Sequence, residues 1–434
     1  MKRKFVPVLL LCLLLCGCAK TEELPTAAAE TPAAVEEESV TSVSIAGREY
    51  EIETTTALSL DGQCTAQELT AALPQLTKAE SVSISPCNLS IEEMLTLKES
   101  FPAVSFDFAL PFGNSSFSSE SESVDLSAEG KDIPSLLSLL PLSEAKSFDL
   151  STWDISVADA EQLHAAAAEV EFVYPVEIYG MGFSSADSEI DFGELEIDDT
   201  AELESKLPLF NHLQKVIMLH TTLDNDSMEA LNLRHEGTRF VWVVQVMTLG
   251  VRSDATYFTI YNAYELRYTR EPVTNLRYCH DMIAIDLGHC GIGQEDLEFV
   301  RGCPKLQFLI LAECYIHNLE PLRACPELRY LEAFKTYLDD ISALLDCPRL
   351  TDLNICYIPS LGAEAADVLE QMTQLEHLWF CDANMPANRI IALRDALPNT
   401  EFIYWKGPES TGAGWREHDI YFEMRDVMER PYMD

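Results

Sequence analysis

Apolar residues return along this chain at a fixed interval. Leu306, Leu309 and Leu311 are followed by Leu328 and Leu331, then by Leu350, Leu353 and Ile355, a step of 22 residues. Each copy runs on through Leu319, Leu322 and Cys325-Pro326, or through Leu338, Ile341, Leu344 and Cys347-Pro348. A period in the twenties predicts a solenoid, in which one coil cannot bury its apolar face alone and neighbours complete the core. Short alternating runs within each copy predict half-buried strands.

The earlier part of the chain carries a longer repeat. Phe106-Asp107-Phe108, Phe172-Val173-Tyr174 and Phe240-Val241-Trp242 are separated by 66 and 68 residues. Eleven residues past each lead Phe come Phe117, Phe183 and Val251, opening FSSESESVDL, FSSADSEIDF and VRSDATYFTI, with Tyr50 as an earlier copy. Apolar runs centred on Leu60, Ile84 and Phe106, on Leu126, Leu150 and Phe172, and on Phe192, Met218 and Phe240 divide each unit of about 67 residues into three coils, and Ile260 opens the next. Regular coils follow near Ile285, Leu309, Leu331, Leu353, Leu378 and Ile403, about sixteen in all. At roughly 4.8 Å per strand the stack is on the order of 75 Å long. Helical spacing appears at Ile91, Met94, Leu95 and Leu97 and at Val157, Ala160, Leu163 and Ala167, with Ser90 and Glu93 as a capping box. The third coil of each unit lacks such a helix; strand extensions or projecting hairpins are expected there, turning at Gly113, Gly180 and Gly250.

Leu306-x-x-Leu309-x-Leu311-x-x-Cys314-x-Ile316 resembles the leucine-rich repeat consensus, and Leu319-x-x-Leu322 looks like the short-coil, internalin-like bacterial class. The resemblance is strongest from Met282 to Trp405 and weaker from 50 to 280. It implies an α/β solenoid with a curved parallel β-sheet on the concave side and short helices or irregular turns on the convex side. It also implies recognition of a protein or glycan. Thr336, Ile358 and Ala383 depart from the pattern at the Asn/Cys position of their coils.

Both ends depart from the repeat. Lys2, Arg3 and Lys4 precede the apolar run Phe5 to Cys16, which is short for a membrane-spanning helix. It closes in Leu15-Cys16-Gly17-Cys18, similar to the lipobox of bacterial lipoproteins. That resemblance implies a signal peptide over 1–18, lipid modification of Cys18, and export to the outer side of the cell membrane. Residues 19–42, rich in Ala, Glu, Thr and Pro, read as a disordered tether. Irregular repeats are expected over 43–278, regular ones over 279–406, and a linker with a terminal cap over 407–434. In that last stretch Ile420, Met424, Val427 and Met428 share a helical side, and Trp415 to Met433 is expected to cover the end of the stack.

Charge narrows the partners. The chain holds 29 basic and 72 acidic residues, a net charge of −43. Such a field repels nucleic acid and anionic lipid, so no nucleic-acid partner is expected and membrane contact is expected through the N-terminal lipid only. A monomer is expected. Cys303, Cys325 and Cys347 recur at the repeat period, each before a Pro. With no C-x-x-C pair they read as small apolar core residues rather than zinc ligands.

Strand residues between the inward Leu positions should face the concave surface. That set is Phe308, Ile310, Tyr330, Glu332, Phe334, Tyr357, His377, Trp379, Phe402 and Tyr404. An exposed aromatic row offers large contact area at low entropic cost, which points to partner binding through Phe308, Tyr330, Glu332, Phe334, Tyr357, His377 and Trp379. Coverage of the row by loops or by the cap is the competing reading. His280, Asp281, Asp286, His289 and Cys290 are the densest ligand-type cluster, read as a solvated strand edge and not as a metal site. Gly288, Gly291 and Gly293 lie in a repeat turn with the wrong spacing for a nucleotide loop, and Ser118-Ser119 and Ser184-Ser185 read as turn hydroxyls. No HExxH or GxSxG is present, so neither a catalytic residue nor a cofactor is expected. The reading is a non-catalytic cell-envelope lipoprotein that binds a partner. An envelope-polymer hydrolase using the concave face, or a purely structural envelope protein, are the alternatives.

Overall fold

A computed structural model describes residues 41–260, 272–381, 384–403 and 414–429. The expected signal peptide, Cys18, the tether as far as residue 40, Ala383 and Tyr404 lie outside the described residues. Among the described residues sixteen short parallel strands form the spine, in blocks of three, three, three and seven. The blocks open at Ala57–Leu60, Ser123–Asp125, Glu189–Asp191 and Tyr257–Thr259. Register follows the repeat: Val124 pairs with Phe148 and Phe148 with Phe172, while Ile285, Leu309, Leu331, Leu353, Leu378 and Phe402 form one continuous row. These middle residues point inward, and one apolar cluster runs from Ile45 to Leu397.

Two offsets separate the expected strand centres from this register. Leu60 and Ile84, Leu126 and Leu150, and Phe192 and Met218 lie two residues beyond the rows that hold Phe106, Phe172 and Phe240, as Ile260 lies two beyond Phe258, which leaves them on the same face. In the last coil the centre is Phe402 rather than Ile403. A one-residue slip reverses a strand's faces, so Phe402 turns inward against the core and Ile403 outward.

Between blocks the chain makes two-residue β-hairpins. Ser105–Phe112 returns through Ser115–Ser118, Pro175–Ile178 through Met181–Ser184, and Val243–Val246 through Leu249–Arg252; Ser42–Ile45 with Arg48–Glu51 precedes the first block. The tight turns need left-handed backbone, adopted by Gly113, by Tyr179 with Gly180, and by Met247. The expected turn at Gly250 is displaced to Met247-Thr248; Gly250 pairs with Gln245 instead, where a Cβ would come within 2.8 Å of Val243 Cγ1. The hairpins do not project. Leu110, Phe112, Val176, Ile178, Val244 and Val246 are buried, and Phe112 stacks on Trp153 of the next block at 5.8 Å.

A buried serine sits at each of these junctions. Ser119 donates its N–H to the carbonyl of Phe108, while its Oγ accepts from the Phe108 N–H and donates to the carbonyl of Phe106. Ser185 repeats this against Tyr174 and Phe172, and Ser253 accepts from the Trp242 N–H in the same way. A parallel strand leaving its sheet exposes backbone groups that must be satisfied. The hydroxyl does this, so these serines serve the preceding strand and not a local turn.

Convex elements follow their local sequence. Thr65, Ser90 and Ser156 cap α-helices through boxes with Glu68, Glu93 and Asp159. From Val273 to Asp346 the convex segments shorten to 3-10 turns such as Glu320–Ala324 and Ser342–Asp346, and α-helices return at Ala363–Leu369 and Ala387–Ala396. Cys303, Cys325 and Cys347 close them from inside, their thiols facing the carbonyls of Leu276, Val300 and Leu322 one coil earlier. Burial pushes Cys325 and Cys347 up to about 12. Thr336, at an Asn/Cys position, is buried with its hydroxyl on the Ala333 carbonyl.

Candidate functional site

The first and third residues of each three-residue strand face the concave side. Over the first six strands this surface is open and polar: Ser81 and Ser83, Ser105 and Asp107, Ser123 and Asp125, Ser147 and Asp149 are all at least partly exposed. In the middle of the seven-strand block, from Ala284 to Asn354, it is closed. Phe308, Ile310, Tyr330, Glu332, Phe334 and Trp379 are buried, so the expected exposed row is corrected. Tyr357 and His377 are half-buried, Phe402 faces inward, and Tyr404 is outside the described residues.

The cover is the chain's own C-terminus. Gly414 leads into the turn Trp415–Glu417 and the helix Asp419–Val427. Tyr421, Met424 and Met428 recur at three- and four-residue steps, which places them on one side of the helix. With Trp415 they join a second apolar cluster containing Phe308, Ile310, Tyr330, Phe334, Cys356, Trp379 and Cys381. The segment therefore lies across the concave face instead of closing the end of the stack, as the cap reading had it. The sheet offers a long apolar trough, and the amphipathic helix buries its matching stripe there. It runs back along the arc: His418 packs on Trp379 at 4.9 Å between ring centroids, Tyr421 meets Tyr330 at 6.3 Å, and Glu429 accepts from the Tyr257 hydroxyl at 3.0 Å.

Polar contacts fix this register. Arg329 donates to both carboxylate oxygens of Glu423, at 2.5 and 2.9 Å, the bidentate geometry that makes such pairs specific. Trp415 Nε1–H donates to Glu332 Oε2 at 3.1 Å, and the Tyr330 hydroxyl donates to the same oxygen at 3.0 Å. Burial pushes the Glu332 carboxyl up to about 7; Arg416 opposes the shift, Asp286 adds to it, and the two hydrogen bonds temper it. Two buried donors here have no acceptor among the described residues: Asn354 Nδ2 and Trp379 Nε1. They belong to residues paired across adjacent strands. Each such orphan costs about 1–3 kcal/mol.

At the edge of this contact an open cleft of about 460 Å³ is lined by Arg329, Asp352, Glu376, His377, His418 and Glu423, among others. His377 Nδ1 is 2.7 Å from Asp352 Oδ1, and the Thr351 hydroxyl donates to Asp352 Oδ2 at 2.6 Å. Such an anchored imidazole has the form of a general base. Its other ring nitrogen lies 3.8 Å from Glu401 Oε2, and its ring sits 4.6 Å from that of His418, so the pair is built into the helix–sheet contact.

The densest ligand-type cluster disperses. His280 engages Gly302 and Glu229, Asp281 pairs with Lys305, and His289 pairs with Glu313. Among the described residues no three His, Cys, Asp or Glu side chains are arranged to hold a metal. No helix there is long and apolar enough to cross a membrane.

A parallel ladder of one strand per coil, with leucines inward at a period of 22, decides the class. The fold is a leucine-rich repeat solenoid. No family model matches the chain, and no curated protein matches it. Among solved structures it is similar to an internalin (inlF) from Listeria monocytogenes, at 13% identity over 86% of this chain and 89% of that one, with a TM-score of 0.24. A leucine-rich repeat protein of Leptospira interrogans matches at 13% identity over 76% and 90%, TM-score 0.25. An internalin C2 of Listeria monocytogenes matches at 16% over 32% and 70%, TM-score 0.23. The solenoid class stands on the chain's own strand ladder and not on these superpositions.

Proposed function

We propose that this solenoid recognises a protein partner through its concave sheet, without catalysis, as an exported lipoprotein held to the outer side of the cell membrane by Cys18. The observation that carries the reading is that the concave face already accepts a polypeptide, its own C-terminal helix, through an apolar trough with a directional ion pair and buried hydrogen bonds. The first six strands leave the same side open, lined by serine and acidic residues that favour a polar or cationic surface.

Site-specific cross-linking tests the recognition. A photoreactive side chain at Ser147, on the open concave face, is expected to trap one defined protein from envelope extract. The same group at Glu161, on a convex helix, is expected to trap none. Equal capture at both positions, or at neither, rejects recognition by the open part of the concave face. Anchoring is read separately: Cys18→Ala is expected to abolish incorporation of labelled fatty acid and to release the chain from the cell.

A further inference from the structure

The helix on the concave face is not part of the solenoid's own core. The leucine core and the concave cluster are two separate apolar clusters, so the coils from Ala284 to Cys381 have their interior filled whether or not the helix is present. The occupant is a nine-residue helix. A helix of that length does not persist alone in water, so undocking and unfolding of the segment are one event. The fit is also incomplete: Asn354 Nδ2 and Trp379 Nε1 are fully buried without an acceptor among the described residues, side by side on paired strands. The nearest ring of the C-terminal segment to Trp379 is His418, at 4.9 Å. Around this gap the trough carries fixed polar contacts, Arg329 for a carboxylate and Glu332 for an N–H donor.

We propose that the C-terminal helix is an exchangeable internal occupant, and that this trough docks an amphipathic helical segment of a partner protein. The fitting segment presents an aromatic and methionine face, a carboxylate to Arg329, and a hydrogen-bond acceptor to Asn354 and Trp379. The last feature is what the internal helix lacks, so a partner that supplies it competes favourably. The proposal rests on the reading that the arc binds a polypeptide, and it says where and in what form.

The test uses the full-length chain and two labelled peptides, one with the sequence of residues 414–429 and one with His418→Glu in that sequence. A Trp415→Ala/Tyr421→Ala chain, in which the internal helix is disarmed, is expected to bind the first peptide at least tenfold more tightly than the wild-type chain does. A tethered occupant competes at the high effective concentration set by its linker. The His418→Glu peptide is expected to bind the disarmed chain at least threefold more tightly than the first. Hydrogen exchange on the wild-type chain is the second readout: excess His418→Glu peptide is expected to expose the amides of 419–427 while those of the strands stay protected. Three results overturn the proposal. They are no peptide binding by the disarmed chain, loss of strand protection together with the helix, or disarmed and wild-type chains pairing by mutual helix exchange, which makes a second copy the occupant. Cross-linking at Ser147 reports recognition by the open arc independently, so failure here is distinguishable from failure of the broader reading.

Discussion

At the scale of single residues, burial and hydrogen-bond satisfaction decide the outcome. Glu332 is the clearest case. Its folded pKa of about 7 is raised above the ordinary carboxylate value of 4.5. Its contribution is therefore fully present below pH 4.5 and is lost as pH rises through 7. Thermal melts of the wild type are expected to show a melting temperature that falls between pH 5.5 and 8.5, and Glu332→Gln is expected to flatten that fall. An unchanged slope in Glu332→Gln removes the carboxylate from the account. Ser119 makes a second case. Ser119→Ala strips the acceptor from the Phe108 N–H, and chemical denaturation is expected to register a loss of about 1–3 kcal/mol. Ser118→Ala changes the neighbouring, half-buried hydroxyl, which reaches Asp107 at 2.5 Å, and the loss there is expected to be smaller. In the sequence, Ser119, Ser185 and Ser253 share the third place of the three similar strings, and the strand departing beside each one is the reason for that recurrence.

At the scale of elements, period and local chemistry account for most of what is observed. The capping box at Ser90 and Glu93 forms as its spacing predicts, because a short polar side chain before a helix meets the free N–H three residues on. The cysteine ladder faces inward, where burial holds its thiols protonated. Iodoacetamide at pH 8 is expected to leave Cys325 and Cys347 unmodified in the native chain and to label both after denaturation; labelling of the native protein rejects the core assignment. Gly250 shows where reading by residue type fails. Glycine suggested a turn, but the space it provides is for Val243 across the hairpin. Gly250→Ala is expected to destabilise the chain by about 1–3 kcal/mol through overpacking, measured by denaturation. The last coil failed for a different reason. Phe402 and Ile403 are both apolar, so alternation alone cannot say which faces the core, and pairing with Leu378 decides it.

At the scale of the whole molecule, a net charge of −43 sits on a stack of coils whose parallel strands pair only with their neighbours. Acidic side chains repel one another along the arc, and salt screens them over a Debye length of about 10 Å at 0.1 M. Raising sodium chloride from 10 to 200 mM is expected to raise the melting temperature, and a fall would mean that ion pairs such as Arg329 with Glu423 outweigh the repulsion. The sequence by itself determined the solenoid, the inward leucines and cysteines, the three-coil units and the aromatic row, because each is written in spacings of a few tens of residues or fewer. It did not determine the side taken by Phe402, but it did determine that the row from Phe308 to Trp379 lies on the opposite side of the strands from the leucines. What covers that side was decided only by the tertiary structure. The contacts that close it join Glu332 to Trp415, Arg329 to Glu423 and Tyr257 to Glu429, separated by 83, 94 and 172 residues. Strand alternation says which face a residue is on, whereas the partner of that face is chosen by shape and charge matching across the fold, and no local period records it.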